Sequence, residues 1–175
     1  LYELLARAVP LEQVPAQIAA GRLHALAVAT TSYTTGQAVA FFDGTDDIDG
    51  WSRVSRAGRR RQIDLDVLMA SAAIPFIFPA WDIDGNHYGD GAMRQLAPLS
   101  PAVHLGANRV LVIGTRGSAA ATPPTGSIVQ ASPSPAHLLG FVLDSLFTDG
   151  LSIDLERLNQ INRLIVAAGH TEHRP

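Results

Sequence analysis

Hydrophobic positions recur along this chain in two periods, and the alternation of those periods predicts an α/β domain. Leu1, Leu4, Leu5 and Ala8 share one helical face, and Pro10 stops that helix. Leu11, Val14 and Ile18 form a second short stripe, closed by Gly21 as a C-cap. Leu23 to Thr31 is apolar almost without interruption, the pattern of a strand covered on both faces in a parallel sheet. Gln37 to Phe42 is a second strand, ending at Asp43-Gly44. Residues 45–62 are polar, include three consecutive arginines and are expected to be exposed. Asp64 is placed to N-cap a helix from Leu65 to Ala73, which Ile74-Pro75 ends because a residue before proline avoids helical geometry. Trp81 to Ile83 and His87-Tyr88 predict a hairpin around Asp84-Gly85-Asn86. Pro101 to Leu105 predicts a short helix with Gly106 at its end, and Arg109 to Gly114 a central strand. Residues 117–135 are rich in Ala, Pro, Ser and Thr and read as a flexible loop. Leu138, Leu139, Val142, Leu143, Leu146 and Phe147, then Leu151, Leu155, Leu158 and Ile165, predict two helices or one kinked helix. Residues 170–175 form a polar tail, and no internal repeat is visible.

Strands separated by helical stretches point to one layered α/β domain. Composition narrows the class. With 47% hydrophobic and 17% charged residues the chain is not of the disordered type. A net charge of −3 argues against nucleic acid as a partner. There is no cysteine, which removes disulfides and thiolate metal sites. No apolar run reaches the ~18 residues needed to span a bilayer. The chain opens on Leu1 rather than Met, and we read it as part of a longer protein.

The candidate chemistry lies at Tyr88-Gly89-Asp90-Gly91-Ala92. A carboxylate at the end of a hairpin, followed by two very small residues, sits on a tight and uncrowded turn. Such a carboxylate serves as general base when a hydroxyl comes within roughly 2.6–3.2 Å, and partial burial makes it a better proton acceptor. Taken alone, Asp-Gly is also a common turn dipeptide, as at Asp43-Gly44 and Asp84-Gly85.

The surroundings are more specific. Ala70-Ser71-Ala72-Ala73-Ile74-Pro75-Phe76-Ile77-Phe78-Pro79 precedes the hairpin, Tyr88 precedes Asp90, and Pro98, Gly106-Ala107 and Val110 to Ile113 follow. This succession resembles the C-terminal part of the patatin-like phospholipase domain, most densely over residues 64–116. The resemblance implies a three-layer α/β/α domain with a mainly parallel central sheet, incomplete at its N-terminus. It implies lipid acyl hydrolysis by a Ser–Asp dyad, with Asp90 as base and Gly91 and Ala92 completing the motif. It implies a phospholipid or other acyl-ester substrate, peripheral membrane contact, no nucleic-acid partner, no metal and no cofactor. Leu96 stands where many members of that family have Asn.

The family's Gly-x-Ser-x-Gly elbow is not in this chain. Gly50-Trp51-Ser52 and Gly150-Leu151-Ser152 continue to Val54 and Asp154 where the elbow needs a second glycine. Gly114 to Ser118 places Arg116 between its glycines and offers no oxyanion loop. The nucleophile is therefore expected on residues N-terminal to these, and the isolated chain is expected to be inactive. The alternative is a non-catalytic lipid-binding or interaction domain with the same fold. A nucleotide-binding domain is disfavoured, since no glycine-rich phosphate loop follows a strand.

Other polar residues have ordinary readings. Ser71 is expected to be a packing residue on its helix. Arg59, Arg60 and Arg61, with Arg53 and Arg56, suit phosphate headgroups but read first as a solvated loop. His170 and His173 belong to a frayed tail rather than a metal site. The stripes over residues 138–165 are expected to pack as core rather than face lipid.

Overall fold

The computed structural model describes residues 1–94, 97–113, 134–146 and 150–167. Helix α1 (Tyr2–Ala8) runs to Pro10, and α2 (Val14–Ala19) follows a single 3₁₀ turn. Gly21 takes φ +66, the left-handed cap that its position in the sequence suggests. Strands β1 (Ala25–Ser32) and β2 (Ala38–Gly44) come next, then β3 (Trp51–Ser52) and β4 (Arg56–Arg60). Helix α3 (Leu65–Ser71) is N-capped by Asp64, whose Oδ1 accepts from the Val67 amide at 3.0 Å. Strands β5 (Trp81–Ile83) and β6 (Asn86–Asp90) form the expected hairpin. Asp84 and Gly85 at its tip both have positive φ, as a tight hairpin turn requires. Helix α4 (Ser100–His104) is followed by α5 (Pro135–Leu146) and α6 (Gly150–Ala167).

The strands make one six-stranded sheet in the order β3-β4-β2-β1-β6-β5. It is mixed, which corrects the expectation of a mainly parallel sheet. β1 pairs antiparallel with β2 and with β6, and only β2 and β4 run parallel. The reason is loop length. β1 and β2 are joined by residues 33–37 alone, and a parallel pair needs a crossover of about a dozen residues.

Alternation along β1 and β2 sends side chains to two different environments. Val28, Val39 and Phe41 join Ile63, Val67, Ala70 and Tyr88 in the core beneath α3. Val39, Phe42 and Val67 are fully buried, and the Tyr88 ring meets Phe41 edge-on with centroids 5.2 Å apart. The opposite face is floored by Ala25, Ala27, Ala29 and Ala40, and α4 stands over it. The apolar run of β1 thus has one face in the core and the other half-buried along an open groove that α4 borders, and its neighbours are antiparallel.

Three further expectations are corrected. Residues 109–113 form no strand: Leu111 is 88% exposed and Ile113 86%. No described strand pairs with them, and without a ladder an apolar run has no reason to be extended. Residues 45–62 are not a loop throughout, since β3 and β4 lie within them. Two of their arginines are firmly engaged: Arg60 donates to the carbonyls of Gly44, Thr45 and Ile48 at 2.6–2.8 Å, and Arg61 pairs with Asp64 and Asp84. The apolar stripes of α5 and α6 pack only in part: Leu155 and Leu158 are half-buried, whereas Leu138 and Ile165 are exposed, as are Phe141, Ile161 and Leu164 beside them. No described layer covers them. Of the loop expected over 117–135, residues 117–133 lie outside the described residues, and Pro135 opens α5. The tail 170–175, with His170 and His173, also lies outside them.

Candidate active site

Asp90 is the last residue of β6, and a 3₁₀ turn (Gly91–Arg94) begins immediately after it. Its backbone is fixed on two sides. The Asp90 amide donates to Ala73 O at 3.0 Å, just past the end of α3, and the Thr31 hydroxyl donates to Asp90 O at 2.8 Å. The expected stretch Ala70 to Pro75 therefore contributes to the site through a main-chain carbonyl. Ser71 ends α3.

Gly91 explains why the turn can follow so closely. It lies over Ala29 of β1, and a Cβ at this position would run into the Ala29 carbonyl, its carbon and its side chain. Only glycine lets the chain cross β1 at this distance. Gly89 is also crowded, but by the ring of Tyr33. Tyr33 was not singled out in the sequence, where nothing distinguishes it. Pairing of Thr31 with Gly89 and of Ser32 with Tyr88 brings it there.

The Asp90 carboxylate is partly buried. Oδ1 accepts from the Ala92 amide at 2.8 Å, and Oδ2 has no hydrogen-bond partner among the described residues. No described cation pairs with Asp90. Burial pushes its carboxyl above the ordinary range, and the Ala92 amide draws it part of the way back. The Tyr33 phenol is also raised, first by burial and then by the Asp90 charge. Among the described residues no serine hydroxyl is hydrogen-bonded to Asp90.

The register places Asp90 opposite Thr30, on the same face as Tyr88 and the core. The open groove floored by alanines, about 630 Å³ and also lined by Leu105 and Pro101, lies on the other face. Its size suits a small molecule, yet the sheet separates it from the carboxylate. Among the described residues no three His, Asp or Glu side chains gather as metal ligands, and no helix is long and apolar enough to cross a membrane. The chain matches no protein-family model, no curated protein and no solved structure.

Proposed function

We propose that this chain carries the base half of a serine-type acyl hydrolase acting on acyl-ester lipids. One observation carries the reading: the partly buried Asp90 carboxylate keeps one oxygen tied to a main-chain amide, while the other has no hydrogen-bond partner and no opposing cation among the described residues. An Asp that caps one amide in a turn commonly leaves its other oxygen to water; partial burial with no cation opposite among the described residues is what sets Asp90 apart. Here one oxygen orients the group and the other can accept a proton. The serine would come from residues beyond this chain, attack the ester carbonyl and lose its proton to Asp90. Asp90 would later activate the water that releases the acyl group. Main-chain amides near that serine would hold the oxyanion.

The resemblance to patatin-like phospholipases over residues 64–116 supports the same reading. It extends it to a three-layer α/β/α domain, which fits α3 on one face of the sheet and α4 on the other. The test is Asp90→Asn in the full-length protein, assayed on a short-chain ester. Asn keeps the Ala92 contact and cannot take a proton, so turnover should drop by about 10²–10⁴-fold. Turnover close to wild type would remove Asp90 from the mechanism and favour a non-catalytic lipid-binding domain of the same fold.

A further inference from the structure

We infer that Arg56 and Arg94 form a binding site for a phosphate group on the face of the sheet opposite the Asp90 carboxylate. The two guanidinium groups come from distant parts of the sequence, β4 and the turn after β6, and line one small, partly enclosed pocket. No carboxylate lines that pocket. Neither side chain has a hydrogen-bond or ion-pair partner among the described residues, and Arg56 Nε is buried without one. On the same stretch, Arg60 donates to three carbonyls and Arg61 pairs with two carboxylates. Arg61 Nε, like Arg56 Nε, is buried without a partner, but the Arg61 charge is answered, and among the described residues that of Arg56 is not. Two like charges on one pocket and one buried donor left open are costly unless an anion answers both.

The donor arrangement favours phosphate over carboxylate. A phosphate sets three or more oxygens and up to two negative charges against two guanidinium groups, where a carboxylate has two oxygens and one charge. Ser55 and Ser100 also line the space, with the Ser100 hydroxyl 3.3 Å from His104 Nδ1. The floor is alanine, so nothing bulky obstructs the anion. The indole of Trp51 forms a wall, held in place by stacking between Phe42 and His104. A phosphomonoester on a lipid or on a small metabolite, or free phosphate, shares this chemistry. The site stands apart from the hydrolase reading, because the sheet lies between it and the Asp90 carboxylate.

Trp51 supplies the readout. In a Trp81→Phe background, its fluorescence would be followed as inorganic phosphate is added to the chain, against chloride at matched ionic strength. A saturable change is expected with phosphate alone. Arg94→Gln should weaken it about tenfold or more. Arg94 is exposed on a turn, so this variant should melt like its parent without phosphate and lose the phosphate-induced rise in melting temperature. Arg56→Lys should bind in between, keeping charge but not the fork. Displacement of phosphate by monomeric short-chain phosphatidic acid would identify a lipid headgroup as the source, and its failure a water-soluble phosphate. Equal responses to phosphate, acetate and chloride, or full binding by Arg94→Gln, would overturn the inference.

Discussion

At Asp90 the local chemistry sets a pH dependence whose direction can be worked out. The carboxyl is raised in the folded chain, mainly by burial, above the roughly 3.9 of an unfolded aspartate. Between those two values the native state binds more protons than the unfolded state. The stability contributed by the protonated carboxyl is complete below the unfolded value and is lost as pH rises through the folded value. Asp90→Asn removes that loss, so the variant should be more stable than the parent at neutral pH and about equal near pH 3, as read from urea midpoints. Stabilisation together with lost turnover would be the mark of a functional carboxylate. The two glycines beside it should separate cleanly. Gly91→Ala drives a methyl into the β1 main chain and should cost about 1–3 kcal/mol, with the turn after Asp90 displaced. Gly89→Ala meets only the ring of Tyr33, which is 48% exposed and can swing away, so its cost should stay near 0.5 kcal/mol. Equal losses in a denaturation series would contradict this account of Gly91.

Among the elements, those whose instructions are local were legible. Asp64 before an apolar run, proline after it and a tight-turn tripeptide between two β-rich segments each specify their own neighbourhood, and α3 and the β5–β6 hairpin follow. The cap can be tested. Asp64→Ala removes the acceptor of the Val67 amide and one of the two carboxylates on Arg61. It should cost about 1 kcal/mol, most of it from the cap, because a partly exposed ion pair adds little. Elements that need a distant partner were misjudged. Residues 109–113 have strand composition but no strand to pair with among the described residues, and β4 was hidden in a polar stretch because its ladder with β2, not its hydrophobicity, makes it a strand.

For the whole molecule, the sheet and its two covers account for Val39, Phe42, Ile63 and Val67, all essentially inaccessible to water. Other large apolar side chains stay exposed: Phe76 and Ile77 next to α3, Leu111 and Ile113 after α4, and Phe141, Leu164 and Val166 on the last two helices. Apolar surface on this scale favours association. Sedimentation of the isolated chain should therefore show a weight-average mass that grows with concentration, and a single monomeric species at all concentrations would argue that these side chains are covered. Phe76 is notable among them for a positive φ of 67°, which a residue with a Cβ adopts only where its surroundings hold it.

The sequence by itself determined the α/β class, the short helices and their caps, the hairpin, and the Asp90 turn with its small neighbours. Each depends on residues within a few positions of one another. The tertiary structure alone decided the order and direction of the strands, the engagement of Arg60 and Arg61, the placing of Arg56 and Arg94 on one pocket, and the contact of Tyr33 with Gly89. These depend on which segments pair across the sheet, and pairing is set by loop length and by the burial of whole faces, which no short window of sequence contains.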